Sequence, residues 1–147
     1  MSLDLIKSFV ETANNRDCDF PLNNIPFGVC FEKSEKKCFS ATAIGDQALN
    51  LTYAEELGLI PDLGFKHVLL NSFMSKGSSS RKEIRKVLQE LLAENSKKIS
   101  EVQRCLLPLN SCYNSKAFEI SEYTDFYSCK NHALNASKII RGENAEL

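Results

Sequence analysis

Long apolar runs are missing from this sequence: nothing in it approaches the roughly 20 consecutive apolar residues that cross a bilayer, so no membrane partner is expected. A surplus of charge of one sign is missing too. The 18 basic and 19 acidic residues leave a net charge of −1, with pI about 6.1. That excludes a bulk electrostatic grip on nucleic acid. Six Gly and four Pro are too few for a collagen-like or low-complexity chain, and no internal repeat marks a solenoid. The six Cys (Cys18, Cys30, Cys38, Cys105, Cys112 and Cys129) contain no CxxC pair. The two His, His67 and His132, lie far apart, so a structural zinc site is not expected. The opening MSLDLIKSFVETANN carries Asp4, Lys7 and Glu11 and lacks the uninterrupted apolar core of an export signal. A cytoplasmic, reducing location with free thiols is the expectation.

What is present reads as a folded chain. Hydrophobic residues make up 43% and charged residues 25% of the 147, near the globular average. A disordered chain would lack the apolar surface to offset its ordering entropy. A length of this order fits one soluble, globular domain.

Local pattern predicts the elements. Leu3, Ile6 and Val10 are spaced for a short amphipathic helix over 3–14. Pro21 and Pro26 hold their preceding residues extended, and Phe27 to Phe31 then reads as a strand containing Gly28. KSEKK (Lys33 to Lys37) is a polar turn. CFSATAIGDQALNL reads as two strands about a Gly45-Asp46 turn. Three such strands suggest a small curled sheet or barrel. Thr52 is placed to cap a short helix ended by Gly58 and Pro61. LNSFMSKG (Leu70 to Gly77) reads as a connector. The clearest helix runs from about Ser80 to Ser96, with Ser80 and Glu83 as a capping box. Ile84, Val87, Leu88, Leu91 and Leu92 form its apolar stripe, and Arg81, Lys82, Arg85 and Lys86 a solvated face. Pro108 closes the helical region, and 106–118 reads as a linker or an edge strand.

After Phe118 the character changes, and Asp125, Tyr127, His132 and Arg141 fall within a short space. Bare burial of the Asp125 carboxylate among Tyr123, Phe126 and Tyr127 is expensive, so it is paired, hydrogen-bonded or holding a cation. In an extended segment Asp125 and Tyr127 face one side. A helix begins near Ser128, and Asp125 equally fits as its cap. His132 sits one turn into that helix, and His is the usual general base near neutral pH. Nine positions at about 100° each put Arg141 on the opposite face of an unbroken helix. A shared site therefore requires the helix to end or bend before Arg141, next to Gly142. Each residue also has a plainer reading: cap, incidental polar group, packing aromatic and C-terminal charge.

Four ordered motifs give these residues a context. YTDFYSCKNHALN resembles the opening of the catalytic domain of the fumarylacetoacetase family. DFPLNNIPFGV, AIGDQALNL and LNSFMSKG resemble that family's N-terminal elements, in the same order. Residues 1–17 carry no such likeness. The resemblance implies an α+β, mainly β fold: a small SH3-like β-barrel with accessory helices over 1–118, then the opening segment of a β-rich catalytic domain over 119–147. It implies a homodimer for a full-length family member. It implies metal-dependent hydrolysis of a carbon–carbon bond in 4-fumarylacetoacetate to fumarate and acetoacetate, in tyrosine and phenylalanine breakdown. In that likeness Asp125 is a Ca²⁺ or Mg²⁺ ligand, Tyr127 and Arg141 bind substrate, and His132 activates water. The family's other metal carboxylates lie beyond these 147 residues. One Asp does not satisfy a cation that takes 6–8 oxygens, so the chain alone is expected to be inactive. The alternative is a non-catalytic SH3-like interaction or regulatory module. The aromatic residues after Phe118 are expected to be loosely held and prone to association.

Overall fold

Apolar alternation after Pro26 sets up three strands, and the computed structural model, which describes residues 4–146, forms them. They are β1 (Phe27–Glu32), β2 (Lys37–Ile44) and β3 (Gln47–Asn50). Both turns are tight. At the second, Gly45 has φ +57°, and a Cβ there would lie 2.2 Å from Thr12 Oγ1, so glycine is required on both counts. The chain continues through α1 (Leu51–Glu56), α2 (Asn71–Ser75), α3 (Gly77–Leu92) and α4 (Ile99–Gln103). The strands β4 (Leu106–Pro108) and β5 (Cys112–Ser115) follow, then α5 (Lys130–Arg141). Short 3₁₀ turns occupy Glu11–Asn14, Phe65–His67 and Leu109–Ser111.

The five strands form one antiparallel sheet in the order β4-β3-β2-β1-β5. The α+β class is as expected; the closed barrel is not. The sheet is open, with β4 and β5 at its two edges. The sequence suggested closure because it showed three tight strands, but the edge strands come from the far end of the chain and pair outward instead. Opposite partners share a face, so Phe27, Val29, Thr42, Ile44 and Leu49 point one way and Gly28, Cys30, Phe39, Ala41 and Ala48 the other. Of the first set, Phe27, Val29, Ile44 and Leu49 join the main core with Leu22, Ile25, Phe65, Phe73 and the α3 stripe Ile84, Leu88, Leu91 and Leu92. On the second face Cys30, Phe39 and Ala41 pack with Leu107 and Cys112. The Phe65 ring stacks at 12° to Phe27, 6.2 Å between centroids, and lies 4.7 Å from Phe73.

Other expectations shift for local reasons. Residue 3 lies outside the described residues, and over the rest of 3–14 the helix reduces to the single turn Glu11–Asn14. There Ser8 Oγ donates to the Leu92 carbonyl at 2.7 Å, and Phe9 N–H donates to the same oxygen at 3.3 Å. The segment thus satisfies a carbonyl that the end of α3 leaves orphaned. Asn50, not Thr52, caps α1: its Oδ1 accepts from Tyr53 N–H at 2.9 Å. The Thr52 hydroxyl instead accepts from Ser40 N–H at 3.0 Å and donates to Phe65 C=O at 2.9 Å. The Leu70–Gly77 stretch is mostly helix, because Gly77 at φ +83° breaks α2 from α3 rather than ending a loop. Ser80 therefore lies inside α3, bonding back to Lys76 C=O at 3.3 Å, and caps nothing. Helix α3 stops at Leu92, short of Ser96, and Pro108 sits in an edge strand, where a missing N–H is tolerated. Among the described residues no helix is long and apolar enough to cross a membrane.

Glu55 is 7% exposed. Its Oε1 accepts the N–H groups of Leu63, Gly64 and Phe65 at 2.6, 3.0 and 3.2 Å, and its Oε2 that of Lys66 at 2.8 Å. A hydrogen bond to a charged group contributes about 1.5–3 kcal/mol, and orphaned buried donors cost more. Glu55→Ala is expected to lower unfolding free energy by about 3 kcal/mol or more, with Glu55→Gln in between because it keeps one acceptor oxygen. Urea titration checks this; an unchanged midpoint for Glu55→Ala would refute the role given to the carboxylate.

Candidate active site

Strand β5 ends at Ser115, and the chain is then tacked to the domain before it runs free. Ala117 packs on the main core, and its carbonyl accepts Leu70 N–H at 2.8 Å. The Asn71 carboxamide meets the Glu119 backbone twice. Its Nδ2 donates to Glu119 C=O at 3.0 Å, and Glu119 N–H donates to its Oδ1 at 2.8 Å. Lys116 and Glu119 add an ion pair at 2.6 Å. Sequence reasoning missed Asn71, because the element holding it reads as a connector. The signal available was a polar residue with poor helix propensity standing two residues before the buried Phe73.

From Ile120 to Cys129 the backbone belongs to no helix or strand, and every residue is exposed. Asp125 lies in this stretch. It does not cap α5: Cys129 holds that position, at φ −107° and ψ 122°, with no side-chain cap bond. The ion pairs among the described residues are Lys66–Asp62 and Lys116–Glu119, so Asp125 has no basic partner there. Tyr127 and His132 do come together. Their ring centroids are 4.9 Å apart at 70°, an edge-to-face contact across the first turn of α5.

Arg141 is the last residue of α5, which runs unbroken to it before Gly142 at φ +99°. Nine residues after His132, it projects from the opposite side of the helix. The structure therefore joins Tyr127 with His132 and leaves Arg141 on another face. None of the α5 residues is buried. The exposed apolar side chains concentrate here, with Tyr123 at 87%, Phe126 at 75% and Ile139 at 86% exposure. Asp125, Tyr127, His132 and Arg141 line neither the groove along α3 nor the one across the small-residue face of the sheet.

Among the described residues no three of His, Cys, Asp and Glu converge to hold a metal ion. Asp125 with its own neighbours does not fit a Ca²⁺ or Mg²⁺ site, which needs several oxygen ligands. The arrangement supplies an exposed imidazole with a phenol against it, one carboxylate nearby and a guanidinium one helix length away. The thiols offer no nucleophile in the core. Burial, then the neighbouring Cys112, pushes the Cys30 thiol up to about 11, and burial also raises Cys105, so both stay protonated near neutral pH.

A family model described as the fumarylacetoacetase N-terminal domain matches residues 23–115. The mouse fumarylacetoacetase is 37% identical over 95% of this chain and 35% of its own length. The human fumarylacetoacetase is 35% identical over 94% of this chain and 35% of its own. The fumarylacetoacetase of Arabidopsis thaliana is 33% identical over 96% and 36%. The chain thus spans about a third of the length of the curated relatives it matches.

The ring contact has a direct readout. Tyr127→Ala removes the ring current acting on His132 and is expected to move the His132 ring-proton resonances while those of His67 stay put. Identical His132 resonances in the two proteins would show that the rings do not meet in solution.

Proposed function

This chain belongs to the fumarylacetoacetase family, and on that premise we propose that it forms the first part of a hydrolase that cleaves a carbon–carbon bond in 4-fumarylacetoacetate. The contact between Tyr127 and His132 carries the reading, because it sets an imidazole and a phenol side by side on an exposed face. In this proposal neutral His132 takes a proton from water as the water oxygen adds to the substrate's carbonyl carbon. The adjacent carbon–carbon bond breaks, the released acetoacetate carbon takes a proton back, and fumarate leaves with the added oxygen. Tyr127 donates a hydrogen bond to a substrate oxygen, and Arg141 pairs with a substrate carboxylate. Arg141 stands on the opposite side of α5 and reaches the same substrate when the helix bends ahead of it.

Asp125 contributes one oxygen ligand toward a Ca²⁺ or Mg²⁺ ion, whose other ligands come from outside the residues described. Such an ion, when bound, polarises carbonyl oxygens. In the same reading the open sheet is an SH3-like domain, the working protein is a homodimer, and the location is cytoplasmic.

The alternative is a docking module without catalysis. It is favoured by one observation: the family-model match, residues 23–115, ends before Asp125.

One experiment separates the two. The chain replaces the matching first third of the mouse enzyme, and hydrolysis of fumarylacetoacetate is followed. Activity is expected, with His132→Ala lowering kcat by about 10²–10⁴-fold, the usual contribution of a general base. A chimera that folds and dimerises like its parent yet stays inactive would leave the docking module. A second outcome is expected of the 147-residue chain by itself: no consumption of substrate at any Ca²⁺ or Mg²⁺ concentration. A metal-dependent rate from it would overturn the role assigned to the outside ligands.

A further inference from the structure

The point where the candidate site segment leaves the domain is built more elaborately than a simple linker requires. Val68 has φ +66° and ψ −59°. Leu69 N–H donates back to His67 C=O at 2.7 Å. This is the γ-turn of positive φ, rare for any residue and a clear outlier for a β-branched one. Such geometry persists only where its surroundings over-determine it. Here they do: Ser40 Oγ donates to Val68 C=O, Leu70 is buried, and Leu70 N–H is turned outward to Ala117 C=O.

Leu70 follows this turn, and the next residue is Asn71, the first of α2. Its side chain is not used for capping. It presents one donor and one acceptor to the two backbone groups of Glu119, at 3.0 and 2.8 Å. A carboxamide paired in this way stands in for the peptide group of a neighbouring strand. Just after the strained turn, the Leu70 N–H and the Asn71 carboxamide thus hold Ala117 and Glu119 of one departing segment. The next residues, 120–129, are exposed and outside any helix or strand, so the direction set at Glu119 is the last constraint before Asp125.

We infer that Asn71 is a positioning residue: its carboxamide clasps the Glu119 backbone and fixes the direction in which the 120–141 segment leaves the domain. As a statement about catalysis this rests on the function proposed above; as a statement about anchoring it does not.

The test uses the whole 147-residue chain. Asn71→Ala removes both bonds, while Asn71→Asp keeps the acceptor for Glu119 N–H and loses only the donor. Amide-resolved hydrogen exchange is expected to speed up about ten-fold at Glu119 in Asn71→Ala, with Asn71→Asp staying within about three-fold of the parent. Exchange across β2 is expected to be the same in all three. Pulsed electron spin resonance gives the second readout, between one label on Cys129 and another at Glu90→Cys, with Cys18, Cys38 and Cys112 changed to Ser. The distance distribution is expected to broaden at least two-fold in Asn71→Ala and to recover most of its width in Asn71→Asp. An unchanged distribution and unchanged Glu119 exchange in Asn71→Ala would overturn the inference. So would equal acceleration at Glu119 and throughout β2, which marks a merely structural role. If Asn71→Ala does not fold, the Asn71→Asp comparison decides: exchange at Glu119 as fast as in a free peptide overturns the clasp. In the mouse chimera, Asn71→Ala is expected to lower kcat about ten-fold with KM unchanged. An inactive chimera defeats the catalytic reading and leaves the exchange and distance results standing.

Discussion

A single carboxylate organises the middle of this domain. Glu55 takes four successive backbone N–H groups, those of Leu63 to Lys66, and so folds around itself a loop whose only regular piece is the 3₁₀ turn Phe65–His67. That loop delivers the Phe65 ring to a three-ring cluster with Phe27 and Phe73, at the junction of the sheet and the helices. The same turn offers the Phe65 carbonyl to Ser40 and Thr52 and the Val68 carbonyl to Ser40. A buried anion is tolerated because every one of these donors needs a partner as much as the anion does. The core, the β2 hydroxyls and the start of α2 all take their places from this one carboxylate.

The two faces of the sheet differ because side chains alternate along each strand and the register pairs small with small, Gly28 with Ala41 and Ala43 with Ala48. The face with Phe27, Val29, Ile44 and Leu49 meets α3 and the Phe65 loop. The other face carries Gly28, Ala41 and Ala48, which leave a shallow surface beneath Cys30 and Phe39. The candidate site is built on neither. It sits on a segment that touches the domain at Ala117 and Glu119 and then presents its aromatic residues to solvent. The packed part of the chain therefore holds an origin, and the candidate site residues stand at a distance from it.

The sequence made the first three strands legible, because each turn is short and the alternation of apolar residues is local. The α3 stripe was legible for the same reason. Closure of the barrel was misread: β4 pairs with β3, and β5 with β1, between segments far apart in the chain, and no local pattern encodes such partners. The helix at Asn71–Ser75 was hidden by Gly77, which normally marks a loop but here separates two helices at positive φ. Thr52 carried an N-cap signature, and Asn50 won that place because the Thr52 hydroxyl was needed between β2 and Phe65. Of the site, the motif YTDFY and the following His were readable only through family likeness. The opposition of His132 and Arg141 was readable from helix geometry alone, and the unbroken α5 displays it.

The order β4-β3-β2-β1-β5 also bears on how the chain folds during synthesis. The central meander lies wholly within the first fifty residues, so it is local and forms early. Both its flanks stay unpaired until Leu106–Ser115 emerges. For that interval the nascent protein displays two bare strand edges, each a template for another copy. The two strands that finish the sheet are therefore also the ones that end its exposure to aggregation, and lesions in 106–115 should reveal themselves first as lost yield rather than as lost chemistry.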